Sequence, residues 1–336
     1  AGELNTNSGS NYAVTVAGTT RVDGTLTCNA STVSLGSGKT DGYGLNVAGG
    51  GTFTGGSGTH TIGSCNLQSS TTFTSGTTTI DSAFGGISLF MDTSISHGNG
   101  TVAFTSGADQ KMGETGTDAP TRTFNNLTVN KSGGELTFVD SNPITCAVAG
   151  DLTITAGEFD TGPDNVALTV TGDVTIAAAG GLTCNSSTVI VNSFTISSNG
   201  TLSLPDASGS CTITGSKSGW SLQNNSQNLS HNNGTVTQTG NGHHKSVFTN
   251  PLYNFVVNMV HLSHQSTFRA AGVGGLSLTE VKVAANEVTV TRGTLQFNTS
   301  TDNAEMGSLT IGSEGTYTAT SGTTTITDES SGGYAL

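Results

Sequence analysis

The chain has 336 residues, 33% of them hydrophobic and only 10% charged, with 48 glycines and a net charge of −13 at neutral pH. So few charges among many Thr and Val residues argue against disorder, and ten scattered Lys and Arg leave no basic run to track a phosphate backbone. The acidic balance opposes adhesion to anionic membrane, and no stretch approaches the ~20 apolar residues of a membrane span.

The chain opens Ala1-Gly2-Glu3-Leu4 without Met, as expected of a processed protein or a segment of a longer one, and a cleaved secretion signal fits. From there short runs alternate apolar residues with Thr, as in Leu168-Thr169-Val170-Thr171 and Val174-Thr175-Ile176. That is the period of a strand with one face buried. Asp23-Gly24, Gly49-Gly50-Gly51, Gly85-Gly86, Gly133-Gly134 and Gly180-Gly181 interrupt the runs, where residues tolerant of positive φ let the chain turn sharply. No segment has apolar spacing of three and four over a helical length, so essentially no α-helix is expected.

The runs also copy one another. Leu26-Thr27-Cys28-Asn29-Ala30-Ser31-Thr32-Val33 returns at Leu182 to Val189 with one change. Ser75 to Ile80 returns at Ser321 to Ile326, and His97-Gly98-Asn99-Gly100-Thr101-Val102 returns as His231-Asn232-Asn233-Gly234-Thr235-Val236. Strand-turn units of ~20 residues predict an all-β fold, a parallel β-helix (β-solenoid) rod of some sixteen coils. An antiparallel sandwich array competes, although two-residue Asn-Gly hairpin turns are few between the runs. A longer period of ~130 residues lies above the short one: Asn126-Leu127-Thr128-Val129-Asn130 matches Asn254-Phe255-Val256-Val257-Asn258. It divides the chain into super-repeats 1–122 and 123–250 and a partial third at 251–336.

Gly100-Thr101-Val102, then Phe124-Asn125-Asn126-Leu127-Thr128-Val129-Asn130, then Gly150-Asp151-Leu152-Thr153-Ile154-Thr155-Ala156-Gly157 form an ordered series. It resembles the repeat-rich β-solenoid proteins of phage fibres and spikes and of bacterial surface adhesins. The resemblance covers most of the chain in low-complexity letters, so it bears on fold more than on identity. It implies an extracellular, elongated and usually non-catalytic role.

Candidate chemistry is sparse. A glycosidase needs two carboxyl groups a few ångströms apart, yet Asp81, Asp92, Asp109, Glu114, Asp151, Glu158, Asp160 and Asp164 are thinly spread, and only stacking between coils would align them. Asp151 and Asp173 follow Gly and precede a strand, which makes them turn residues. Cys28, Cys65, Cys146, Cys184 and Cys211 show no CxxC spacing. Cys28 and Cys184 share one place in a duplicated motif, as expected of small buried wall residues, with disulfides between coils the alternative.

Five of the seven His fall at 231, 243, 244, 261 and 264. His261-x-x-His264 has the look of a partial metal pair, but positions three apart on a strand face opposite sides. His243 and His244 in Asn-Gly-His-His-Lys read as a solvent-exposed turn. The calcium-roll nonapeptide is absent, so Ca2+ rests only on the Asp160-Thr161-Gly162-Pro163-Asp164-Asn165 oxygens, which turn formation accounts for. No cofactor is implied, and the glycine runs lack the Lys-Ser/Thr of a phosphate loop.

The stretch 217–268 breaks the rhythm with the single Trp, Trp220, and Tyr253. Trp220, His243, His244, Tyr253, His261 and His264 are therefore the candidate binding residues, with a local core plug as the alternative. The expectation is a non-enzymatic structural subunit of an extracellular or virion-associated fibre. Open solenoid ends expose unpaired backbone, so self-assembly into multimers is the expected state. The alternatives are a surface adhesin binding a cell-surface glycan or receptor, and then a polysaccharide-degrading β-helix enzyme.

Overall fold

The computed structural model describes residues 2–92, 95–113, 121–139, 145–226, 228–245, 254–259, 265–269, 285–297, 304–319 and 323–326. Every described strand pairing between neighbouring coils is parallel, and no helix occurs among these residues. The protein is a parallel β-solenoid with about 23 residues per turn. Parallel pairing rules out the antiparallel sandwich, whose strands would pair through hairpins.

Two compact units divide the chain, Ala1–Thr171 and Gly172–Leu336. In the first, each early coil contributes a strand to three stacks. One stack runs through Glu3–Asn5, Thr25–Thr27, Thr52–Thr54 and Thr71–Thr72. A second runs through Val14–Val16, Val33–Leu35, His60–Ile62, Thr77–Ile80 and Thr101–Phe104. The third holds Thr20–Val22, Leu45–Val47, Cys65–Leu67 and Ile87–Met91. The second unit repeats the plan, with Thr188, Ser210, Thr235 and Asn254 beginning successive strand segments of one stack.

Alternation decides what lies inside. In the second stack of the first unit, Leu35, Ile62, Ile80, Phe104, Val129 and Ile154 are opposite one another in register across six coils. All six are fully buried, and each such side chain stabilises the fold by roughly 1.5–3 kcal/mol through removal from water. Ser34, Thr61, Thr79, Thr128 and Thr153 take the intervening outward positions and remain partly exposed.

Coils are uneven in length around the expected repeat. His60 to Thr78 closes a turn in 18 residues, whereas Phe255 to Val288 takes 33. Strand pairing fixes only the paired segments and leaves the length between them free to vary. Long strands such as Asn126–Val139 and Leu152–Asp160 run around a corner, where their register shifts between Asn130 and Glu135 before pairing resumes. Gly134 and Gly157 make this bend with φ of 62° and 77°, a region that costs a side-chain-bearing residue steric strain.

The copied motifs build copied corners. In both Leu26–Val33 and Leu182–Val189 the Leu and Cys are buried and the Asn takes positive φ, 50° at Asn29 and 47° at Asn185. Ser31 N–H donates to Cys28 O at 3.0 Å and Ser187 N–H to Cys184 O at 2.9 Å. His97 and His231 likewise accept, through Nδ1, the N–H of Asn99 and Asn233 at 3.1 and 2.9 Å. Residues that match at the ~130-residue spacing also take matching places in the stacks. Val102 faces Leu127 and Leu127 faces Leu152 in the first unit, as Val236 faces Phe255 and Phe255 faces Val288 in the second.

Candidate functional site

The irregular stretch around Trp220 is a hairpin extruded from a coil. Lys217 and Trp220 exchange both backbone hydrogen bonds at 2.9 Å around Ser218 and Gly219. Those two residues have φ of 49° and 86°, the positive-φ pair of a two-residue turn matched to strand twist. Trp220 then lies opposite His243 in the next coil, and the rings meet edge-to-face with centroids 5.6 Å apart. Both are half-buried.

His244 behaves differently. The Asn-Gly-His-His-Lys segment is not a solvent-exposed turn, because Gly242–Lys245 is a strand and consecutive residues point to opposite sides. His244 is 1% exposed, packs edge-to-face on Phe255 at 5.0 Å, and donates Nε2–H to Gln238 Oε1. Gln238 Nε2 in turn donates to Gly240 O at 2.8 Å and to Ser221 Oγ at 3.1 Å. Burial, with the neighbouring His243 adding to it, pushes His244 down to about 3. The structure therefore joins Trp220 to His243 on the outside and turns His244 into the interior. Tyr253, His261 and His264 lie outside the described residues.

The first unit carries a hairpin of the same design that sequence reasoning missed. Phe84 and Ile87 exchange backbone hydrogen bonds at 2.9 and 3.0 Å around Gly85 and Gly86. Ser88 Oγ donates to Ser82 O at 2.7 Å, as Ser221 Oγ does to Gly215 O at 2.6 Å. Phe84 remains 38% exposed and packs edge-to-face on Tyr43 at 5.1 Å. Asp81 secures the loop beneath, accepting from Ser37 Oγ at 2.5 Å and from Gly38 N–H at 2.9 Å. The available signal was the Ser-Leu pair one residue beyond each turn: Ile87-Ser88-Leu89 and Trp220-Ser221-Leu222.

Stacking also aligns carboxylates that are distant in sequence. Glu135 lies opposite Glu158, and its N–H donates to Asp109 Oδ1 at 3.1 Å from the preceding coil. Burial foremost, then the charges of Asp160, Asp109 and Glu158, raises Glu135 above the usual carboxylate value, with Lys111 opposing. Adjacent strands lie ~4.8 Å apart, so register places these acidic residues side by side on one face. Asp173 is more than a turn residue: it accepts from Ser193 Oγ at 2.6 Å and Asn192 Nδ2 at 2.8 Å, and pairs with Lys217 at 3.6 Å. In the Asp160–Asn165 turn, Asp160 Oδ1 accepts from Gly162 N–H at 2.7 Å. No group of three His, Cys, Asp or Glu able to hold a metal ion occurs among the described residues.

All five cysteines are buried, and none is in a disulfide. Burial pushes the Cys28, Cys146 and Cys211 thiols up to about 12 and Cys65 further still, so they are wall residues with little thiolate character. Among the described residues no helix is long and apolar enough to cross a membrane.

No protein-family model, curated protein or solved structure matches the chain. The geometry defines its class, a parallel β-solenoid.

Proposed function

We propose that the chain is a non-enzymatic structural subunit of an extracellular or virion-associated fibre that assembles into multimers. The observation that carries this reading is the in-register interior column from Leu35 to Ile154, six coils without a break. Such a column spends most apolar residues on stacking coil upon coil, which suits a protein whose task is to hold a surface at a distance. Electron microscopy of the native particle combined with sedimentation tests it. Filaments or defined oligomers are expected, and a monodisperse monomer at high concentration overturns it.

A second reading, a surface adhesin or glycan-binding module, is favoured by the two hairpins. Each holds an aromatic side chain at the surface, Phe84 against Tyr43 and Trp220 against His243. Aromatic rings with an apolar face and polar neighbours are suited to sugar rings and protein contacts. Trp220→Ala and Phe84→Ala should each weaken attachment to the target cell by tenfold or more, and unchanged attachment by both removes this reading. The Asp109–Glu135–Glu158 ladder is where an activity on polysaccharide would reside. Depolymerisation of a capsular polysaccharide by the intact chain, abolished by Glu135→Gln, would displace the structural reading.

A further inference from the structure

Inside the first unit a buried amine faces a buried carboxamide. Lys131 is 1% exposed and Gln110 fully buried, on adjacent paired strands. Lys131 Nζ donates to Ser106 O at 2.9 Å, Ala108 O at 2.7 Å and Gln110 Oε1 at 3.0 Å. Gln110 Oε1 also accepts the Ser106 N–H at 3.0 Å, while its Nε2 donates to Ile80 O at 3.0 Å and Ser82 O at 3.3 Å. Both ends of the carboxamide are thus held, and the amine is held against it. Gly157 closes the site: a Cβ there would stand 2.7 Å from Lys131 Cβ. In the second unit the matching residue is Met259, also 1% exposed, so interior packing at this place does not require an amine.

We propose that Lys131 and Gln110 condense into an intramolecular isopeptide bond that ties two neighbouring coils together. The Nζ lone pair attacks Gln110 Cδ; the Nζ–Cδ bond forms and the Cδ–Nε2 bond breaks. From the ammonium form, two protons pass to the departing nitrogen, which leaves as ammonium ion, and no oxidant or further reactant is needed. The Ser106 N–H points at the oxygen on which charge develops, the arrangement that stabilises tetrahedral intermediates of acyl transfer. Since Cδ is about 1.23 Å from Oε1, it lies no further than roughly 4.2 Å from Nζ. A shift of about 1 Å then brings the pair to the 3–3.5 Å of a reactive contact. Burial lowers Lys131 to about 8, against the opposing charges of Asp109 and Glu135, so the free amine is reached in mild alkali.

The test reads the intact mass of the full chain, fresh and after incubation above that value, followed by tandem mass spectrometry of its tryptic peptides. A chain lighter by one ammonia is expected, with a branched peptide joining residues 110 and 131. Lys131→Met, which installs the residue found at 259, should retain the full sequence mass. Asn99-Gly100, Asn199-Gly200, Asn233-Gly234 and Asn241-Gly242 also lose ammonia when they cyclise, so the branched peptide and not the mass decides. Unaltered mass under both conditions, or ammonia loss mapped only to Asn-Gly steps, overturns the proposal. The wild-type peptide map decides even if Lys131→Met does not fold.

Discussion

His60 lies directly opposite Thr78 inside the first unit, both fully buried, in a column whose other members are Val33, Val102, Leu127 and Leu152. Neither the ring nitrogens of His60 nor the Thr78 hydroxyl is matched to a side-chain partner. Burial pushes His60 down to about 4, only partly opposed by the backbone at Gly55.

That depression sets a pH dependence with a definite sign. Between the ordinary value of 6.5 and about 4, the unfolded chain binds the proton and the folded chain does not. The associated stability is complete above pH 6.5 and is lost as pH falls toward 4, by up to about 3 kcal/mol. His60→Leu should flatten this part of the acid limb. Guanidinium unfolding midpoints measured across this pH range check it; an unchanged acid limb in the variant means that the ring is not the source.

The aliphatic column should tolerate truncation poorly. Ile80→Ala deletes a fully buried side chain between Ile62 and Phe104 and should cost about 2–5 kcal/mol. Thr79→Ala, one residue away on the outward face, should stay within about 0.5 kcal/mol. Limited proteolysis rates at equal temperature separate the two.

Two glycines should respond in opposite ways to the same methyl group. Gly157 has φ of 77° and a Cβ position 2.7 Å from Lys131 Cβ, whereas Gly49 has ordinary φ and nothing within 4 Å. Gly157→Ala should destabilise by more than about 1 kcal/mol, and Gly49→Ala should be neutral or slightly stabilising. Thermal unfolding by circular dichroism distinguishes them.

The five thiols should be silent in the folded chain. Cys28, Cys65, Cys146, Cys184 and Cys211 are all buried, so native protein should give almost no reaction with Ellman's reagent near neutral pH and five equivalents in denaturant. Fast labelling of one thiol in the native state would place that residue outside the wall.

Much of this was legible from residue order. Alternation of Val, Leu and Ile with Thr identified the strands, and the copied Cys28 and Cys184 motifs marked equivalent corners because an Asn at positive φ and a buried Cys must recur together there. The hairpins were half legible: Trp220 was conspicuous, but Phe84 passed unnoticed because glycine-rich turns occur throughout. His243 and His244 were read alike, although a strand sends neighbours to opposite sides.

The solenoid, its inward and outward faces and the recurrence of its motifs follow from local period and turn chemistry, and residue order suffices to read them. What faces what across coils does not: His60 on Thr78, Glu135 between Asp109 and Glu158, and Lys131 on Gln110 are set by how coils stack. Those contacts depend on register between strands separated by 18 to 26 residues. A difference of one residue at a corner reverses which side chain points inward.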